Sequence, residues 1–223
     1  MFRVTPDRRL APPPTAVLLD LDGTLLDSAA TITRALARAA ADYGYTYDPA
    51  DLRRFVGPPV RETLAQLAPD VPVDEAVAHY RALYATTMRE APLFDQTLPV
   101  LDGLADLGLP LVVATSKRQV HAHELLDHHG LVDRFLAICG AGEADANADK
   151  AAVVADALDR LAAAGADLAR PLMVGDKIHD VEGAARHGVE TVLVAWGYGG
   201  IDERSRALTT ADDPIDLLGL VAG

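Results

Sequence analysis

Ala16-Val17-Leu18-Leu19-Asp20-Leu21-Asp22-Gly23-Thr24 decides how the chain is read. Four consecutive apolar residues describe a strand buried on both faces. The first polar residue after them is an aspartate, and a second follows two positions on. As a strand ends and the chain begins to turn, both carboxylates can face one site, and Gly23 lets the backbone come close to it.

Outward from this strand the texture divides in two. Residues 28–43 carry a helical pattern with Ile32, Leu36 and Ala40 on one face. Gly57-Pro58-Pro59 forces a turn, and Val73 to Met88 reads as a longer helix with Val77, Tyr80 and Tyr84 spaced along it. No strand run lies between Leu26 and Leu98. Beyond that, strands and helices alternate. Pro99 starts a helix, Leu109 to Ala114 is a strand, and Ser116-x-x-Gln119 has the pattern of a capping box for the next helix. Phe135 to Ile138, Pro171 to Val174 and Thr191 to Ala195 are further strands, with helices expected at 149–161, 178–187 and 213–221. Alternation of this kind belongs to an α/β fold with a doubly wound parallel sheet. The expected organisation is a flexible leader at 1–15, an α/β core made of 16–27 and 97–223, and an inserted all-helical cap domain at 28–96.

The 223 residues carry 20 basic against 33 acidic side chains, a net charge of −13. With no basic run, binding to nucleic acid or to an anionic membrane is not expected. Nor is there an apolar run near the roughly 18 residues of a transmembrane helix, or a signal-peptide h-region. A single cysteine, Cys139, excludes an internal disulfide and suits a cytoplasmic location. Any anionic ligand must therefore be met locally. Of the 20 basic residues only three are lysine: Lys117, Lys150 and Lys177. Each sits at or near an expected helix start, a place that favours anions over cations.

Ligands of open parallel sheets bind at the carboxyl ends of the strands. Those ends carry Asp20 and Asp22, then Thr115 and Ser116, then Lys150, then Asp176 with Asp180 four residues on. Carboxylates so close together need a cation, and an all-oxygen set suits magnesium. Zinc would prefer His or Cys, which these ends lack.

In this order the motifs resemble those of the haloacid dehalogenase superfamily. Asp20-Leu21-Asp22-Gly23-Thr24-Leu25-Leu26-Asp27-Ser28 looks like its first motif, and Val112-Val113-Ala114-Thr115-Ser116-Lys117 is similar to the second. Lys150 fits the third, and Met173-Val174-Gly175-Asp176-Lys177-Ile178-His179-Asp180 is similar to the fourth. The resemblance spans residues 16 to about 197. It implies a Rossmann-like core and a magnesium-dependent phosphohydrolase. Asp20 would be the nucleophile that forms an aspartyl-phosphate, and Asp22 the acid and base. Asp20, Asp176 and the Asp22 backbone carbonyl would hold the metal, with Asp180 supporting that shell through water or Lys177. Thr115, the Ser116 N–H and Lys150 would bind the phosphoryl oxygens. The cap segment Phe55-Val56-Gly57-Pro58-Pro59-Val60-Arg61-Glu62-Thr63-Leu64 looks like that of the phosphoglycolate phosphatase branch, and the core motifs also look like bacterial nucleoside 5′-monophosphatases. A small soluble phosphate ester is the implied substrate, acted on by a monomer or homodimer.

Other readings stay open. A sugar-phosphate mutase would keep every core residue, and a non-catalytic binding protein could keep the fold. Arg61 is placed to reach a substrate carboxylate or second phosphate as a fork, or to be a solvated helix cation. His121, His123, His128 and His129 have spacings that do not face one another on a helix and read as solvated or capping. Trp196-Gly197-Tyr198-Gly199-Gly200 reads as a turn lining the core, and Tyr80 and Tyr84 as helix packing.

Overall fold

The structure is a computed structural model that describes residues 9–142 and 149–222. Strand β1 is Ala16–Leu19 and every residue in it is buried. The chain then enters a helical stretch: α1 (Ala29–Ala41), a 3-10 segment (Pro49–Phe55), α2 (Val60–Leu67) and α3 (Val73–Thr87). It returns through α4 (Thr97–Asp106), β2 (Leu111–Arg118), α5 (Gln119–His128) and β3 (Ala137–Ala141). The remainder is α6 (Lys150–Ala163), β4 (Pro171–Gly175), α7 (Ile178–Ala185), β5 (Glu190–Val194), α8 (Ile201–Arg204), β6 (Thr209–Ala211) and α9 (Pro214–Val221).

Among the described residues all pairings in the sheet are parallel, in the order β3-β2-β1-β4-β5-β6. This is the doubly wound α/β architecture expected from the alternation. The order reverses beside β1, so the crevice where helices diverge lies over its carboxyl end and that of β4. Leu19 is level with Val174, and Asp20 N–H donates to the Val174 carbonyl at 2.9 Å. The two aspartates that follow these strands are therefore neighbours by register.

One apolar cluster runs continuously from the sheet face (Val17, Leu19, Val113) through Ile32 and Leu36 of α1 to Val77, Tyr80 and Tyr84 of α3. The chain leaves and re-enters the α/β layers along two short antiparallel stretches. Asp27 N–H donates to Pro92 O, Phe94 N–H to Leu25 O and the Thr97 hydroxyl to Leu25 O. Residues 1–8 of the expected leader lie outside the described residues. Within the rest of it, Leu10 N–H donates to Leu220 O.

Three local expectations change. Ser116 does not cap a helix. It continues β2, while α5 starts at Gln119 with Arg118 before it and no side-chain cap. The Gln119 amide instead bridges to β3, donating to Ile138 O and accepting from Gly140 N–H. Strand β3 also lies later than Phe135 to Ile138, because Phe135 N–H still closes a 3-10 turn onto Val132 O. It runs through Gly140, where a Cβ would lie 2.7 Å from Lys117 O. There glycine marks close approach of two strands and not a break. Finally, α4 opens at Thr97, two residues before Pro99. A proline in the first turn loses no intrahelical bond.

Leu125 of α5 is fully buried in the main cluster. Leu125→Ala is expected to lower stability by about 2–5 kcal/mol, read as the midpoint shift in urea at an unchanged slope.

Candidate functional site

Four aspartates and all three lysines of the chain meet over the carboxyl ends of β1, β2 and β4. Asp20 follows β1 directly, Asp176 follows β4, and Asp180 sits in the first turn of α7. Lys150 is the first residue of α6, where Asp149 caps the helix by accepting from Ala151 N–H. The Lys117 and Lys150 side chains are 7% and 5% exposed, and Lys177 is buried. Interior lysines require paired charges, and the pairing here is specific.

The Lys150 ammonium reaches three oxygens: Asp20 Oδ1 at 2.7 Å, Asp180 Oδ1 at 2.6 Å and the Ala114 carbonyl at 2.7 Å. Three acceptors match its three N–H bonds, so its position is fixed from β1, β2 and α7 at once. The other oxygen of Asp180 accepts the N–H groups of Asp176 and Lys177 at 3.1 and 3.0 Å. Asp176 Oδ2 accepts Tyr198 N–H at 2.7 Å, while its Oδ1 is buried without a partner.

Oxygens of Asp20, Asp176 and Asp180 lie within 4.8 Å of one another. Burial pushes the Asp20 carboxyl up to about 6; the Lys150 ammonium opposes that shift, and the charges of Asp180 and Asp22 reinforce it. Burial, followed by Asp180 and Asp20, pushes Asp176 well above the ordinary carboxylate range. Among the described residues the group consists of carboxylates alone, and crowded carboxylates with an orphaned buried oxygen fit a hard divalent cation such as magnesium. The Asp22 carboxylate stands apart from this cluster. Its Oδ2 pairs with Lys117 Nζ at 2.8 Å, and its Oδ1 is buried without a partner.

Thr115 and Ser116 lie beside the acidic cluster, lining a cavity of about 30 Å³ with Asp20, Asp22, Lys150 and Lys177. The Thr115 hydroxyl accepts Lys117 N–H at 3.2 Å. A larger cavity of about 100 Å³ shares Asp22, Gly57, Ser116 and Lys117 with it and extends toward Ile32, Phe55, Pro58, Tyr80 and Tyr84. Arg61 is not in either. It pairs with Asp74 and lines a separate cavity of about 440 Å³ that reaches Ser116 and Lys150 from the other side.

Two groups of residues have a larger part than the sequence suggested. Tyr84 is more than helix packing, because its hydroxyl accepts a hydrogen bond from Lys117 Nζ at 2.8 Å. His121 is only partly solvated: its ring meets Tyr84 edge-on, and burial pushes it down to about 4, so it is neutral at pH 7. His129 is a capping histidine on the Ala91 carbonyl. The 196–200 turn also braces the site. Tyr198 donates to Asp27 Oδ1 and accepts Ala29 N–H, and Trp196 donates to Thr24 O. The one signal for Lys117 in the sequence was the scarcity of lysine.

Comparison with known proteins adds a family and relatives. The haloacid dehalogenase-like hydrolase family matches residues 17–194. The tyrosine-protein kinase PtkA of Mycobacterium tuberculosis is 40% identical over 204 residues, 88% of this chain and 67% of that protein. Its solved structure superposes with a TM-score of 0.78 at 37% identity, covering 94% of this chain and 100% of that one. A 5′-nucleotidase of Pseudomonas aeruginosa is 36% identical over 84% of this chain and 85% of its own length. A phosphoglycolate phosphatase of Agrobacterium fabrum is 33% identical over 81% and 80%. The three names differ in substrate and agree in moving a phosphoryl group.

An aspartate whose pKa is raised on folding binds more protons folded than unfolded. Stability is then lost as pH rises through the interval between the two values, and remains lost above it. Asp176→Asn removes that charge and keeps an acceptor for Tyr198 N–H. In EDTA at pH 7.5 the variant is expected to melt above the wild type by at least about 2–4 °C, equivalent to roughly 1 kcal/mol at this size. The gap narrows as pH falls and Asp176 takes up a proton. Magnesium should raise the wild-type Tm and leave that of the variant nearly unchanged.

Proposed function

The chain belongs to the haloacid dehalogenase-like hydrolases and is a phosphoric monoester hydrolase; we propose that it is magnesium-dependent and works through an aspartyl-phosphate on Asp20. The observation that carries this reading is the division of labour between the two aspartates after β1. Asp20 is held by Lys150 within the acidic cluster, while Asp22, two residues on, pairs with Lys117 instead and keeps one oxygen uncommitted. Binding alone calls for no such second carboxylate.

In the proposed reaction an Asp20 oxygen attacks phosphorus and the ester P–O bond breaks. Asp22 gives its proton to the departing oxygen, then takes one from the water that attacks the aspartyl-phosphate. That second attack restores the Asp20 carboxylate and releases inorganic phosphate. Lys150 keeps Asp20 in place and offsets its charge. Thr115 and Ser116 line the small cavity beside Asp20, and the Thr115 hydroxyl and the Ser116 N–H would bind the phosphoryl oxygens there, where fixed dipoles and charges do most of the work. Asp20, Asp176 and the Asp22 carbonyl would hold the magnesium ion, with Asp180 supporting them from its bonds to Lys150, Asp176 and Lys177. The ion, when bound, supplies positive charge between these carboxylates and the phosphoryl oxygens.

The leaving group occupies the cavity of about 100 Å³ between the sheet and the 28–96 segment, which acts as the cap. Phosphoglycolate and a nucleoside 5′-monophosphate are both candidate esters, because the cavity of about 440 Å³ also reaches Ser116 and Lys150. Arg61 pairs with Asp74 and lines the neighbouring cavity, and in this reading it would contact substrate from there. Among the described residues no helix is long and apolar enough to cross a membrane, and the proposed setting is the cytoplasm.

The test is phosphate release from phosphoglycolate, nucleoside 5′-monophosphates, sugar phosphates and pyrophosphate, with magnesium and with EDTA. Release from at least one monoester that EDTA abolishes is expected, as is its loss by more than about 1,000-fold in Asp20→Asn with the fold retained by circular dichroism. Turnover surviving in Asp20→Asn would remove the nucleophile from this scheme. Silence from the whole panel, broken only by a sugar bisphosphate primer, would make the protein a mutase.

A further inference from the structure

We propose that Lys117 is a positioning residue for Asp22, clamped from the helical cap by Tyr84; this rests on the acid–base role of Asp22 given above. The Lys117 ammonium binds one carboxylate oxygen, Asp22 Oδ2, at 2.8 Å and leaves the other, Oδ1, buried and unpartnered. A free carboxylate turns about its Cβ–Cγ bond and presents either oxygen. Tied at Oδ2, it presents Oδ1 in one direction, and Asp22 lines the same small cavity as Asp20 and Thr115. Proton transfer requires the donor within hydrogen-bond reach of the departing oxygen, and small misplacements of a reacting group cost rate steeply.

Lys117 is itself held. Its ammonium donates to the Tyr84 hydroxyl at 2.8 Å and lies 4.7 Å from the centre of that ring. Tyr84 stacks on Tyr80 in the same helix, with centroids 5.7 Å apart. Both tyrosines belong to α3 and Lys117 to β2, so the chain of contacts runs from cap to core to Asp22. The oxygen that handles the proton is thus set in place by the cap lying over the sheet, and the ammonium so engaged is not the anchor for a substrate anion.

Lys117→Met retains the length and the apolar contact with Tyr84 and removes the ammonium. Single-turnover cleavage is compared for two esters: the better turned over of phosphoglycolate and a nucleoside 5′-monophosphate, and 4-nitrophenyl phosphate, whose leaving phenolate needs little protonation. For the alkyl ester the cleavage rate is expected to fall about 100-fold, the scale of general acid catalysis, with KM little changed. For 4-nitrophenyl phosphate the rate should fall far less. Tyr84→Phe keeps the ring and should show a smaller loss with the same ester bias; it carries the test if Lys117→Met does not fold. A rise in KM alone would make Lys117 a substrate anchor and overturn the proposal. So would equal losses for both esters, or no loss. Asp22→Asn separates the levels: if it still cleaves the alkyl ester at the wild-type rate, the acid–base assignment itself fails; if it is inactive while Lys117→Met cleaves at the wild-type rate, the positioning role alone fails.

Discussion

The Lys150 ammonium, buried among Asp20, Asp180 and the Ala114 carbonyl, is the interaction on which the rest of the site depends. An isolated ammonium or carboxylate in the interior is prohibitively costly. Collected in one place, each makes the other tolerable, and α6, the loop after β1, the end of β2 and the first turn of α7 are held to a common point. Burial works against the ammonium, but Asp180 and Asp20 outweigh it and keep Lys150 protonated across the neutral range. Removal of any one partner would strand the others, so this core is fixed by charge as firmly as the sheet is by apolar contact.

The same logic applies to the excess of acid. Asp176 Oδ1 and Asp22 Oδ1 are buried with no partner in the fold, and the two have different neighbours. Asp176 adds to the cluster with Asp20 and Asp180, where negative charge accumulates. Asp22 is balanced by Lys117 and has little use for a cation on its carboxylate. A sequence motif with two aspartates two residues apart thus resolves into two electrostatic environments, because Lys117 comes from β2 and Lys150 from α6. Gly23, within the first motif, has a φ of +91°, and a Cβ there would collide with the Asp176 carboxylate. The backbone is pressed against the carboxylate that this geometry serves.

Much of this was legible in the residues. Ala16 to Leu19 and Pro171 to Val174 are apolar runs of the length of a strand, and each ends at an aspartate, so the sheet and its rim could be read together. Arginine-rich composition made the three lysines conspicuous. What escaped was set by tertiary contact. Ser116-x-x-Gln119 satisfies a local capping pattern, yet β3 offers the Gln119 amide a carbonyl and an N–H, and the strand wins. Thr209–Ala211 is too short to carry a periodic signal and exists as β6 because β5 offers an edge. Tyr84 and Lys117 are 33 residues apart, and no spacing rule connects α3 to the end of β2.

The position of β1 has a consequence for how the protein is made. Its partners are β2, which follows the whole helical segment, and β4, which follows α6. Of the six strands described, the first to be synthesised is one of the two in the middle of the sheet, and both edges of it must wait. Contacts so remote in sequence slow folding, since the loops must close before pairing rewards them. The short antiparallel stretches at Leu25–Asp27 and Pro92–Thr97 shorten one of these waits, because a helical segment that folds first brings its two ends side by side and hands β1 toward β2. The other wait has no such shortcut. Asp20 meets Asp176 only when β4 pairs with β1, so acid crowding arises after Lys150, which precedes β4 in the chain, has already been synthesised.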